Sequence, residues 1–188
     1  QSANFPLIRM FREESPASEK PRENAKGTWS VCSPQTVGGF SGTLYFFGRE
    51  LHRELKVPVG LINSSVGGTP IESWVAAEAQ LATPELKPIV DSKAKSDAAF
   101  DSAKAKQNHE KALIKWKADT DKAKASGQVA PRKPIDPVEA RTRRGGPGGL
   151  FNGKIHPLIP YALRGVTWYQ GEANTGPAEA EFYQHYLK

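Results

Sequence analysis

Val57-Pro-Val-Gly-Leu-Ile-Asn-Ser-Ser-Val-Gly-Gly-Thr-Pro-Ile-Glu-Ser-Trp74 is the stretch that decides how this chain folds. Val57–Asn63 is a β-rich apolar run bounded by turn residues, which reads as a buried strand. Gly67-Gly68-Thr69-Pro70 then turns the chain. Pro70 suits the first turn of a helix, where a missing N–H costs nothing and the fixed φ is already helical, and Thr69 is the expected cap. Ile71, Val75 and Leu81 are expected to face inward. Strand, glycine turn and helix in this order form a unit of α/β type.

Working outward, Phe5–Phe11 reads as a short buried strand and Glu13–Lys26, with Pro16 and Pro21, as a surface loop. Trp29 and Val31 alternate with polar neighbours and predict a second short strand. Phe40, Leu44, Phe47, Leu51 and Leu55 recur every three or four residues, so a helix follows, capped by Ser41 and closed by Lys56 and Pro58. Downstream, Glu85–Ser126 turns to Ala and Lys with a thin apolar stripe. This composition favours helix, either one long element or a hairpin of two. Gly127–Gly149 reads as a loop. Leu150–Leu163 predicts a proline-interrupted helix, Gly165–Tyr169 a buried strand, Gln170–Gly176 its exit loop, and Pro177–Lys188 a further helix. Alternating elements predict a largely parallel sheet.

Composition narrows the function. A hydrophobic content of 38% over 188 residues suffices for a core. The net charge of +6 invites a nucleic-acid reading, but residues 85–144 hold 15 Lys/Arg against 9 Asp/Glu, and the remainder holds 11 of each. The basic excess thus sits apart from the glycine-rich motifs, which argues against nucleic acid. Cys32 is alone, so no disulfide or zinc spacing arises, and none of His52, His109, His156 or His185 has metal-ligand spacing. No metal or cofactor is expected. No apolar run is long enough to span a membrane. The chain starts on Gln1 and shows no targeting signal, which points to a processed product or an excised piece.

Sites in open α/β sheets form at the carboxyl ends of strands. Two such loops carry chemistry: Asn63–Pro70 and Gln170–Thr175. Gly67 and Gly68 leave backbone N–H groups open at a helix start, as an oxyanion cradle requires, although a plain tight turn would use the same residues. Gln170 and Asn174 add amide donors and Glu172 a carboxylate, although Glu172 and Asn174 could instead cap the next helix. Ser64 and Ser65 lack a nucleophile elbow. Arg141, Arg143 and Arg144 read as a solvated cluster, and Trp168 as core.

Four pieces together resemble one family. Trp29–Pro34 with Phe40–Leu55, Val57–Trp74, Leu150–Pro160 and Tyr161–Asn174 are similar to motifs of the sialate O-acetylesterase-like branch of the SGNH (GDSL-type) hydrolases. The resemblance implies a flavodoxin-like three-layer α/β/α fold with a mainly parallel sheet. Residues 1–188 would form part of one hydrolase domain, with residues 85–149 as a helical insert. It implies a serine hydrolase that removes acetyl esters from carbohydrates, exported to a secreted, periplasmic or lysosomal location. Carried over, Gly67 or Gly68 is the backbone oxyanion donor, Gln170 or Asn174 the amide donor, and Glu172 orders the loop. Ser65, Asn152 and His156 are the candidates for substrate contact.

Three departures from the pattern stand out. Gln1-Ser2-Ala3-Asn4 imitates the family's nucleophile motif, but Phe5–Phe11 matches the strand that follows the family serine by about one helix, so Ser2 is not the expected nucleophile. The family's C-terminal Asp-x-x-His is absent, and Val66 stands where a Trp is common. The expectation is an oxyanion half-site whose nucleophile and base lie outside this chain, inactive by itself. The alternative is a non-catalytic carbohydrate-binding or scaffold domain of the same fold.

Overall fold

The structure is a computed structural model that describes residues 3–187; Ser2, the nucleophile mimic, lies outside the described residues. Its centre is a three-stranded sheet in the order β2-β1-β3, with β1 Phe5–Glu13, β2 Gly27–Cys32 and β3 Val59–Asn63. β1 and β3 run parallel, pairing Ile8 with Val59 through Arg12 with Asn63. β1 and β2 run antiparallel, pairing Phe11 with Trp29 and Glu13 with Gly27. The sheet is therefore mixed rather than largely parallel. Only a loop joins β1 to β2, and a parallel neighbour needs a crossover element.

Helix α1, Gly42–Leu55, packs on one face of this sheet. Ser41 caps it as expected, accepting from the Leu44 N–H at 3.4 Å, and Lys56 ends it in the left-handed conformation, φ 57°. The buried face is centred one residue away from the expected one: Tyr45 and Gly48 are buried, whereas Phe47 and Leu55 are 47% and 61% exposed. Gly48 explains the offset. A Cβ there would stand 2.8 Å from Leu61 Cδ2, so glycine lets the helix approach β3 more closely than any side chain would. Ile8, Met10, Cys32, Tyr45 and Leu61 form the resulting core. Burial pushes the Cys32 thiol pKa up, so this cysteine behaves as a small apolar residue.

The opposite face of the sheet is open among the described residues, with Leu7, Trp29 and Val31 all more than 40% exposed. The expected strand at Gly165–Tyr169 also does not form. This stretch joins no sheet and is exposed throughout, Val166 at 77%. Among the described residues β3 pairs only with β1, so its other edge offers a ladder that this segment does not enter. Without a ladder or a covering layer, an apolar run gains nothing from an extended buried state.

After β3 the chain makes a 3-10 turn, Ile71–Ser73, and a short helix α2, Ala77–Ala82. Ile71 is buried, but Leu81 is exposed, and Gln80 takes the inward place by donating to the Glu72 and Val75 carbonyls at 2.7 Å. The insert folds as two helices followed by a third: α3 Lys87–Ala98, α4 Ser102–Ala125 and α5 Pro137–Arg144. α5 corrects the expectation of a continuous loop. Asp136 caps it, accepting from the Val138 and Glu139 N–H groups, with Pro137 in the first turn. Arg141 is engaged rather than merely solvated. It pairs with Asp97 and lies 4.2 Å from the Phe100 ring centroid, tying α5 to the corner between α3 and α4.

The helical turn Phe151–Leu158 then docks against the loop after β1. That loop is not simply surface: Glu13 and Ser15 are buried, and Lys154 forms a buried ion pair with Glu13 while donating to the Glu13 carbonyl at 3.1 Å. Gly153 permits the approach, because a Cβ on it would stand 2.1 Å from the Pro16 carbonyl oxygen. Gly153→Ala is expected to undock this loop at a cost of about 1–3 kcal/mol, as overpacking does. A lowered urea midpoint would show it, and an unchanged midpoint would refute the close-approach role.

Candidate functional site

Because β1 and β3 are parallel, their carboxyl ends lie at one edge of the sheet, where Arg12 stands beside Asn63. The loop 14–26 leaves one of these strands and the loop 64–70 leaves the other. In the second loop Gly68 has φ 68°, a left-handed conformation that glycine adopts without strain. Gly67 and Gly68 are exposed, a Cβ on either would meet nothing within 4 Å, and neither N–H is bonded among the described residues. These are two free donors on open ground. Thr69 is buried behind them. It does not cap the following turn; its hydroxyl donates to the Val66 carbonyl at 2.6 Å and accepts from the Trp74 indole N–H at 2.9 Å.

The loop from Gln170 comes to the same place across a hundred residues of sequence. Asn174 is buried, and its Oδ1 accepts from the Ile71 N–H at 2.9 Å. Its Nδ2 donates to the Glu72 carboxylate at 3.1 Å. Asn174 therefore caps a turn, but the turn is the remote one at Ile71 rather than its own helix α6, Pro177–Tyr186. Gln170 Nε2 donates to the Thr69 carbonyl at 3.0 Å and more weakly to Asn174 Oδ1 at 3.3 Å. The two motif loops thus form one hydrogen-bonded unit. Glu72 is its hub, because its backbone carbonyl also accepts from the Gly148 N–H at 2.8 Å.

Tyr183, on α6, has no signal in the sequence. Its hydroxyl lies 2.7 Å from Gln170 Oε1 and 2.8 Å from the Gln170 carbonyl, and it accepts from the Trp168 indole at 3.3 Å. With Oε1 held by a donor and Nε2 held by acceptors, the Gln170 amide has one orientation. Tyr186, one turn further along, buries its hydroxyl without a partner among the described residues. Burial first, and the nearby Glu72 charge second, push its pKa well above that of an ordinary phenol.

The remaining candidates divide. Glu172 is exposed and makes no side-chain hydrogen bond among the described residues; Gln170, Asn174 and Tyr183 hold the loop. Ser65 is exposed and donates to Asn63 Oδ1 at 2.9 Å, whereas the Ser64 hydroxyl is shielded and without a protein partner. Asn152 and His156 hold the first loop: Asn152 Nδ2 donates to the Glu19 carbonyl at 3.1 Å, and His156 Nδ1 lies 3.0 Å from the Arg22 carbonyl. Trp168 is 48% exposed rather than core, and Tyr169 is 84% exposed. No group of His, Cys, Asp and Glu with metal-binding geometry occurs among the described residues, and no described helix is long and apolar enough to cross a membrane.

Comparison with known proteins fits this arrangement. The chain is 27% identical to the rat (Rattus norvegicus) sialate O-acetylesterase over 92% of its own length and 30% of the relative's. It is 29% identical to the human enzyme over 78% of its length and 20% of the relative's. Its structure aligns with that of a carbohydrate acetylesterase from Xanthomonas citri with a TM-score of 0.64 and 25% identity, over 99% of this chain and 30% of that one. No family model matches. The chain is distantly homologous to these esterases and spans less than a third of their length.

Asn174→Ala would leave the Glu72 carboxylate and the Ile71 N–H unpartnered inside the fold, at an expected cost on the order of 3 kcal/mol. Chemical denaturation should show that loss. Stability equal to wild type would mean that the bridge between the loops carries no weight.

Proposed function

We propose that the protein carrying this chain, a distant relative of the sialate O-acetylesterases, is a carbohydrate O-acetylesterase. The single observation that supports this most is the union of the two motif loops, which sets free N–H groups beside an oriented amide at the carboxyl edge of the sheet. In this reading the Gly67 and Gly68 N–H groups receive the oxyanion, and Gln170 supplies the amide donor. Gln170 is chosen over Asn174 on energetic grounds. Its second bond, at 3.3 Å, is readily exchanged for an oxyanion. Releasing the Asn174 amide would strip a buried carboxylate of its partner. Asn174 positions, and Gln170 donates.

The reaction assigned to the site is two acyl transfers. A serine oxygen bonds to the acetyl carbonyl carbon and passes its proton to a base. The tetrahedral oxyanion collapses, the ester C–O bond breaks, and the sugar hydroxyl leaves with the proton. Water then attacks the acetyl-enzyme, releasing acetate and restoring the serine. Nucleophile and base are assigned to sequence outside these 188 residues. In the whole protein, the three-layer fold would cover the apolar sheet face at Leu7, Trp29 and Val31. Ser65 and Glu172, both exposed at the same edge, are assigned to the sugar side of the site.

The exposed rings of Trp168 and Tyr169 also favour a second reading, a sugar-binding domain without catalysis, since such rings stack on sugar faces. Kinetics of the full protein on p-nitrophenyl acetate and acetylated sugars separates the two. The esterase reading expects turnover, with Gln170→Ala lowering kcat about 100-fold and leaving KM nearly unchanged, as loss of one oxyanion donor does. Glycan binding with no acetate release would overturn it in favour of the second reading.

A further inference from the structure

Tyr183 has one hydroxyl and serves two side chains with it. The hydroxyl proton faces Gln170, whose Oε1 lies at 2.7 Å and whose carbonyl oxygen lies at 2.8 Å. A lone pair of the same oxygen accepts from the Trp168 indole N–H at 3.3 Å. Indole and amide are thus joined through a single atom. Gly171 lets the chain turn there. Its φ of 145° is a conformation that favours glycine, and it wraps the loop around the Tyr183 ring, with the hydroxyl 3.6 Å from where a Cβ would stand.

This tether sets Trp168 apart from its neighbour. Both rings are open to solvent, Trp168 at 48% and Tyr169 at 84% exposed. Tyr169 makes no side-chain hydrogen bond among the described residues, so nothing polar fixes its ring. Trp168 is held at its indole nitrogen, and an aromatic ring that is already held loses little conformational freedom when a ligand stacks on it. The face of the indole stays available for the apolar C–H face of a sugar ring. At the other end of the same tether is the amide to which the oxyanion is assigned.

We propose that Trp168 is the platform on which the sugar ring of the substrate stacks, and that Tyr183 is the positioning residue that sets this platform and the Gln170 amide as one unit. The amide half, and the choice of a sugar over another flat ligand, rest on the esterase reading; the held ring does not. Because one hydroxyl joins platform and amide, the ester processed is one borne by the stacked ring itself rather than by a distant unit of a glycan.

The test combines kinetics of the full protein with tryptophan fluorescence. Trp168→Leu should raise KM for an O-acetylated methyl galactoside about fivefold more than KM for p-nitrophenyl acetate, which has no sugar to stack. Tyr183→Phe should do the same and also lower kcat on both substrates about tenfold, as a misplaced donor does. In a Gln170→Ala background, Tyr183→Phe should no longer lower kcat but should still raise KM for the galactoside. A tyrosine that only docks α6 would lower kcat in both backgrounds, and that result would overturn the positioning role. Methyl galactoside should quench the fluorescence of the wild-type protein and leave that of Trp168→Leu unchanged. This arm needs no turnover, so a protein that is quenched but releases no acetate keeps the platform and loses the enzymatic reading, and the amide half with it. A quench that survives in Trp168→Leu, no quench by methyl galactoside, glucoside or xyloside, or tighter binding of adenosine would overturn the platform.

Discussion

The Asn174 side chain holds together two parts of the chain that sequence keeps a hundred residues apart. Its oxygen caps the start of the 3-10 turn at Ile71, and its nitrogen partners the buried Glu72 carboxylate. The arrangement of the two motif loops follows from that contact. Gln170 is brought against the Thr69 carbonyl, the glycine loop is held from behind, and α6 delivers Tyr183 to fix the Gln170 amide. A buried carboxylate is tolerable only when its hydrogen-bond partners are in place, so the bridge makes the loop arrangement close to all-or-none.

That dependence explains which parts of the fold the sequence reveals. β1, β2, β3 and α1 are visible because each is set by local pattern: alternation, a 3.6-residue period, a serine cap and a left-handed lysine at the end. The direction of β2 is not local, since it depends on whether a helix intervenes. Gly165–Tyr169 has a strand's composition, yet composition supplies no neighbour to pair with, and the stretch stays exposed. α5 was hidden among prolines and glycines because the Asp136-Pro137 cap is a signal of two residues inside a loop-like stretch.

The candidate site divides along the same line. Gly67, Gly68, Gln170 and Asn174 can be picked out as residue types in strand-exit loops, but their separate tasks cannot, because those depend on who faces whom. Asn174, by sequence a candidate amide donor or a cap for the next helix, is the cap of a remote turn. Tyr183 and Glu13 lie outside the motifs, and Lys154 lies in one without being singled out by it. Glu13 meets Lys154 where Gly153 lets Phe151–Leu158 approach the loop after β1, and Tyr183 meets Gln170 where α6 packs against the preceding loop. The helical insert follows a different logic: it has no large apolar face, so its order is local.

Amide hydrogen exchange at Ile71 tests the central claim most directly. If the Asn174 bridge joins the two loops, the Ile71 N–H exchanges slowly, with protection comparable to that of the β1 amides paired to β3. Exchange at Ile71 as fast as at the open Gly67 and Gly68 amides would contradict it, and the two loops would then be neighbours in sequence pattern only.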